Sequence, residues 1–250
     1  MHQEPIIELR NVGVCYMRHA GFMRSTRFWA LHDVSFDLQH GETLAVVGHN
    51  GAGKSTLLRL LAGIMAPDRG EVVQRTDRIS LLSLQVGFIP HLTGRQNAIL
   101  SGILLGLTRR QMLERMEVIF EFSELGEFFD EPVRTYSSGM RARLGFAVAF
   151  QADPDILLVD EVLGVGDTGF REKSAAAMKQ KIASNKTVVI VTHNPEGILD
   201  LCDRMVWVHQ GVTCLIGKPE EVIQQYQQSF KRGVAKSVVT QSLRDVEAVK

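Results

Sequence analysis

Gly48, His49, Asn50, Gly51, Ala52, Gly53, Lys54, Ser55 and Thr56 follow one another with the spacing Gly-x-x-x-x-Gly-Lys-Ser. Residue types in this order suit the binding of a phosphate chain. Glycines let the backbone wrap closely, so that successive N–H groups point inward at an anion, and a helix starting near Lys54 adds its positive end. The Lys54 ammonium would reach the β- and γ-phosphates of a nucleotide, and the Ser55 hydroxyl would complete the coordination of a magnesium ion bridging them. The alternative is a glycine-rich turn without a ligand. Against it stands a complete motif, set between an apolar run at 43–47 and a leucine-rich run at 57–62.

Three further groups suit the same chemistry. Asp160 and Glu161 close the apolar run 156–159. At the C-terminal edge of a strand, where α/β sheets bind ligands, the first carboxylate can hold magnesium and the second can polarise a water that attacks the γ-phosphate. Standing alone, such a pair reads as solvated or helix-capping acids. His193 follows the run 187–191 by one residue and comes to the same edge, where an imidazole can hydrogen-bond the γ-phosphate or the attacking water. Tyr136, Ser137, Ser138, Gly139 and Met140 open the helix-like stretch 140–151. Serines and a glycine there make an ordinary cap, and equally a second anion site of N–H groups, a hydroxyl and a helix dipole. Two such helix starts with one nucleotide motif imply that a second copy of the chain supplies the second site.

The elements that must position these groups follow from hydrophobic pattern. Runs at 43–47, 156–159, 187–191 and 205–208 are apolar on both faces, as central parallel strands covered by helices are. A helix over 57–62 and a crossover helix over 170–183 alternate with them. Strands are also expected over 6–14, 31–38, 71–74 and 79–82. The stretch 17–29 mixes Arg18, Arg24 and Arg27 with Phe22, Met23, Phe28 and Trp29 and breaks the strand pattern. It reads as a solvated loop with packed aromatics or as a short helix at a membrane surface. Residues 92–97 look like a capped helix start, and helices over 98–107, 109–122 and 140–151 place a helical insertion at 86–152 inside an α/β domain of residues 1–232. A helix over 219–232 and a tail at 233–250 end the chain.

The 250 residues are 45% hydrophobic, enough for a full core. Lys plus Arg and Asp plus Glu both number 28, so no overall basic field points to nucleic acid. Cys15, Cys202 and Cys214 are scattered, which fits a reducing compartment and argues against a disulfide framework or a zinc site. The first ten residues show no secretory signal pattern, and the apolar stretch 98–107 falls well short of the roughly 20 residues a membrane span needs.

The set GHNGAGKST, YSSGM, ILLVDE and VTHN, in that order, resembles the nucleotide-binding subunit of an ABC transporter over residues 6–228. FWALHDVSF, HLTGRQN, TYSSGMRARLGFAVA and DEVLGVGD are similar to the ATPases that export bacterial O-antigen, capsule or teichoic acid. The resemblance implies a P-loop NTPase (RecA-like) core with a parallel sheet, an N-terminal antiparallel β portion and an inserted α-helical subdomain. It implies ATP and Mg2+ as cofactors. The catalytic pair would be Glu161, the base, and His193; residues Gly48 to Thr56 and an adenine-stacking Tyr16, with Trp29 as its rival, would bind ATP. Ser55, Asp160 and Gln85 would serve the metal. Ser137, Ser138 and Gly139 match the signature that closes on ATP held by the opposite protomer, although Ser138 and Met140 depart from its common form. Asp167 matches the acid of the loop joining the two sites across the dimer. The implied partners are a second copy, a polytopic membrane permease that docks near 92–104, and a lipid-linked polysaccharide. The implied location is peripheral, on the cytoplasmic face of the bacterial inner membrane, with the stretch 17–29 as a gate-like helix. A soluble ABC-type ATPase acting on DNA or ribosomes would carry coiled-coil insertions or two fused nucleotide domains. A P-loop kinase or GTPase would have no use for YSSGM or the distal histidine.

Overall fold

Thr43–Val47 and Thr187–Thr192 are buried along their whole length, as expected of apolar runs with no polar face. In the computed structural model, which describes residues 4–19, 25–82, 87–160, 167–184 and 186–232, they form strands β3 and β7 at the centre of a mixed sheet. The other strands are β1 (Ile7–His19), β2 (Ser25–Leu38), β4 (Arg69–Gln74), β5 (Ile79–Leu81), β6 (Ile156–Asp160), β8 (Arg204–His209) and β9 (Val212–Gly217). The described residues of 1–79, 155–161 and 185–250 make one unit and those of 80–154 and 162–184 a second, with β5 spanning the boundary. The expected tail at 233–250 lies outside the described residues.

Within the first unit the strand order is β4-β1-β2-β9-β8-β3-β7-β6. β8, β3, β7 and β6 run parallel, whereas β4, β1 and β2 pair antiparallel. Helix α1 (Lys54–Leu61) buries Leu57, Leu58, Leu60 and Leu61 and touches β2, β6 and β7. Each leucine removed from water there is worth about 2 kcal/mol. Helix α7 (Pro219–Arg232) packs Val222, Ile223 and Tyr226 inward, against β8, β9 and the 3-10 turn Pro195–Leu201.

Two expectations change here. The stretch 17–29 is not a helix or an irregular loop in its described part: β1 continues to His19 and β2 starts at Ser25, with Tyr16 opposite Phe28 and Met17 opposite Arg27. Phe28 and Trp29 are consecutive in β2 and therefore point to opposite faces of the hairpin. β9 was not foreseen. It returns from β8 through a two-residue turn, Gln210 and Gly211, both at positive φ (47° and 76°). Glutamine at the first of these positions hides the turn, since Asn-Gly or Asp-Gly is its usual signature.

The second unit holds α2 (Gly94–Leu104), α3 (Arg109–Glu114), α4 (Met116–Ser123), α5 (Ser138–Ala149) and α6 (Thr168–Ile182). Thr93 with Gln96 and Thr108 with Gln111 form reciprocal capping boxes for α2 and α3. The single helix expected over 109–122 breaks at Arg115, whose guanidinium donates to the Gln151 carbonyl. Ala98, Met112, Ile119, Phe129, Leu144 and Val148 fill its core. Phe122, Phe146 and Phe150 stack nearby with Phe170 edge-on to Phe122 and Phe146, and Lys173 lies 4.7 Å over Phe122 and Lys181 4.7 Å over Phe150.

Tyr136 closes this core by donating its hydroxyl to the Phe128 carbonyl at 2.6 Å, and burial pushes that phenol up to about 12. A Cβ at Gly94 would stand 2.1 Å from the same hydroxyl and 2.8 Å from the Phe129 carbonyl. Gly94→Ala is therefore expected to expel the Tyr136 hydroxyl and to destabilise the protein by about 2 to 3 kcal/mol, read as a lowered urea midpoint at unchanged slope.

Candidate nucleotide site

The sheet register decides which side chains meet. Val47 pairs with Thr192, and Asp160 pairs with Val191. The C-terminal ends of β3, β6 and β7 thus lie on one level, with neighbouring strands about 4.8 Å apart. Gly48 and His193 are the next residues of β3 and β7, and Asp160 is the last residue of β6.

Between this edge and the β1–β2 hairpin lies a cleft of about 420 Å3, lined by Tyr16, Phe28, Ala30, Asn50, Gly51, Gly53, Lys54, Ser55, Thr56 and Asp160. Most of the expected phosphate loop is in this wall. Gly48, His49 and Ala52 are not: the first and last are buried beneath the loop, and the His49 ring turns to Tyr226 and His209.

Lys54 is buried, and its ammonium donates to the carbonyls of Gly48 (2.7 Å) and His49 (3.0 Å). An anion entering the loop competes with those carbonyls for the same charge. Gly53, at φ +101°, is the N-cap of α1, and no side chain caps that helix. Its first N–H groups, which have no partner inside a helix, are what such a start offers to phosphate. A Cβ at Gly53 would stand 2.5 Å from the Ala30 carbonyl and one at Gly48 2.3 Å from the Val208 carbonyl. These two glycines are required by close backbone approach, a reason distinct from access of the ligand.

The apolar end of the cleft is built by the hairpin. The Tyr16 hydroxyl lies 3.4 Å from Thr56 Oγ1, which fixes the ring against the loop. Phe28, directly across the ladder, shares this face and is 38% exposed. Trp29 is on the other face of β2: Arg69 lies 5.0 Å over its ring and His32 packs at 6.0 Å. Strand parity thus separates Trp29 from the cleft and brings in Phe28, which the sequence reading left out. The sequence carries no local signal for it, because the face Phe28 takes is set by its pairing with Tyr16 across the ladder.

The oxygen donors Ser55 and Asp160 line the same cleft, and an all-oxygen set is the one magnesium takes. Gln85 and Glu161 lie outside the described residues. His193 is exposed at the end of β7. In the second unit, Ser137 caps α5 by accepting from the Met140 N–H at 3.2 Å, with Ser138 exposed and Gly139 half-buried beside it. Asp167 caps α6 by accepting from the Phe170 N–H at 3.1 Å and pairs with the Arg143 guanidinium. Those two partners hold its carboxyl below the usual range, the backbone N–H foremost. Arg143 also packs 5.1 Å over Phe170.

The ABC transporter family profile matches residues 31–164. The chain is 45% identical over 208 residues to the "O-antigen export system ATP-binding protein RfbB" of Klebsiella pneumoniae, covering 83% of this chain and 85% of that one. It is 42% identical over 208 residues to the "Teichoic acids export ATP-binding protein TagH" of Lactococcus lactis, where it spans only 44% of the relative's length. Among solved structures, a dimeric ATP-binding cassette in a post-hydrolysis state with ADP and phosphate superposes with a TM-score of 0.66 at 26% identity, over 85% of this chain and 98% of that one.

The parity of β2 gives a contrast to test. Phe28→Ala is expected to raise the KM for ATP about tenfold with kcat little changed, since one aromatic face is worth about 1–3 kcal/mol to a stacked base. Trp29→Ala should lower the melting temperature and leave KM in place.

Proposed function

Because the chain belongs to the ABC transporter family, we propose that it is the ATPase subunit of an exporter that moves a lipid-linked cell-surface polysaccharide, O-antigen or a similar polymer, across the bacterial inner membrane. It works as a nucleotide-sandwich dimer beside a separate permease, on the cytoplasmic face. The observation that carries the ATPase reading is the common level of Gly48, Asp160 and His193 at one sheet edge, over a cleft lined by the phosphate loop. The polymer class is supported by what the two export relatives are named for, at 45% and 42% identity. Peripheral attachment agrees with the lack of any helix long and apolar enough to cross a membrane among the described residues.

In this reading Tyr16 and Phe28 take the base, and the loop N–H groups with the Lys54 ammonium take the phosphates. Ser55 and Asp160, with Gln85, hold magnesium, which supplies positive charge to the β- and γ-phosphate oxygens. Glu161 polarises a water in line with the γ-phosphate, and His193 hydrogen-bonds that phosphate from the neighbouring strand end. The described residues of one chain offer the phosphate a cradle on one side. The other side is met by Ser137, Ser138 and Gly139 of the second copy, whose helix α5 presents a hydroxyl and a positive end. Asp167 belongs to the segment that joins the two sites, with Arg143 fixing its carboxylate to the signature helix. Closure and reopening of the pair then drive the permease.

The test is ATP turnover of the purified subunit with its permease. Glu161→Gln should cut turnover at least a hundredfold while keeping ATP binding, and should run as a dimer on size exclusion in ATP. Ser137→Ala should lower turnover and leave the monomer's ATP affinity unchanged. Wild-type turnover in both variants overturns the sandwich reading.

A further inference from the structure

The His49 side chain leaves the cleft for a ring cluster. Its ring centroid lies 5.6 Å from that of Tyr226 on α7 and 6.2 Å from that of His209 at the end of β8. Behind them, Trp207 packs edge-on to Tyr226 at 5.9 Å and lies 6.3 Å from His209. Tyr226 is 4% and Trp207 7% exposed. Among the described residues Trp207 Nε1 finds no hydrogen-bond partner, so ring packing alone sets where this indole sits. Burial and the neighbouring His49 hold the His209 imidazole below the usual histidine range, so a neutral ring completes the cluster at neutral pH.

The same residue faces the ligand through its backbone. The His49 carbonyl accepts from Lys54 Nζ at 3.0 Å, and it also accepts from the Ala52 N–H at 3.0 Å, which ties the turn of the loop. One peptide unit thus stands between the phosphate-binding ammonium and helix α7. The helix has a second link to the edge: Gln227 Nε2 donates to Glu196 Oε1 at 3.0 Å, in the 3-10 turn that follows His193 by two residues.

We propose that Tyr226 and His209 are positioning residues for nucleotide binding, holding His49 so that α7 acts as a seat for the phosphate loop and responds when phosphate draws Lys54 off the His49 carbonyl. This rests on the nucleotide reading of the loop. The rings fix the loop residue that the ammonium leaves, so loosening them costs affinity for nucleotide in ground state and transition state alike, which appears in KM and not in kcat.

The chain has two tryptophans, Trp29 and Trp207, and Trp29 lies on the face of β2 away from the cleft. In a Trp29→Phe protein the emission of Trp207 reports on the cluster alone. Titration with MgATP is expected to change that emission along the same curve as equilibrium dialysis of labelled ATP. Adding Tyr226→Leu should abolish the change and raise Kd and KM about tenfold with kcat within about twofold, whereas Tyr226→Phe, which keeps the ring, should restore both. A folded Tyr226→Leu protein with unaltered Kd overturns the proposal. Should that variant fail to fold, His209→Gln is expected to raise Kd about threefold, and an unaltered Kd there overturns it equally. If the Trp29→Phe protein binds no ATP by dialysis, the nucleotide reading itself fails. If it binds ATP with a silent Trp207, the seat alone fails.

Discussion

At three points the backbone of the phosphate loop meets a neighbouring backbone closely: Gly48 lies against the Val208 carbonyl, Gly53 lies against the Ala30 carbonyl, and the Gly211 N–H donates to the Ala52 carbonyl at 3.0 Å. No side chain fits into these contacts, so the loop cannot relax outward or inward without breaking them. Buried backbone groups must also find partners. Gly211 supplies several at once, since its carbonyl accepts from the His32 and Asp33 N–H groups at 2.7 and 3.0 Å. The β8–β9 turn therefore joins the antiparallel hairpin to the parallel sheet and, in the same residues, fixes the loop. The cleft exists because a hairpin that carries Tyr16 and Phe28 is held at this height above the strand ends.

Helix starts show what the loop gives up. Thr93, Thr108, Ser137 and Asp167 cap α2, α3, α5 and α6 through their side chains. Each such cap is worth about 1 kcal/mol in an ordinary helix. α1 begins on a left-handed glycine with no acid in its first turn and no side-chain cap. It forgoes that stabilisation and offers its N–H groups to an anion, while the four leucines on its buried face more than offset the loss. Ser137 stands between these cases. Its hydroxyl caps α5 and yet remains exposed, so a cap can also be a contact to phosphate.

Much of this was legible in sequence where one physical signal acted alone. Strands apolar on both faces, the glycine spacing and the capped helix start at 92–97 each name their own structure. The rest required a partner far along the chain. The alternation of Arg27, Phe28, Trp29 and Ala30 becomes a strand only when Tyr16 and Met17 lie across from it. Gln210 adopts positive φ because the turn is locked by Ala52 and His32, which no local propensity records. Arg115 ends a helix by reaching Gln151, thirty-six residues away. The same holds for the site. Asp160 could be placed by its strand, but Arg143 beside Asp167, and Tyr226 and His209 around His49, appear only in three dimensions.

The opposite edge of the sheet is held by ion pairs and by side chains that accept backbone N–H groups. There Arg204 pairs with Asp37 at 3.2 Å and with the buried Glu42 at 3.1 Å. Asp203 accepts from the Thr43 N–H at 2.8 Å, and Thr187 Oγ1 accepts from the Gly41 N–H at 2.9 Å. Burial raises the carboxyl of Glu42 in spite of Arg204, whereas hydrogen bonds from Arg204 and Gln39 outweigh burial at Asp37 and lower it. Their linkages run in opposite senses: the raised group favours folding at low pH, and the lowered one contributes above its unfolded pKa. These contacts tie β2, β3, β7 and β8 together at the end of the sheet away from the loop and from the rings that α7 lays against His49.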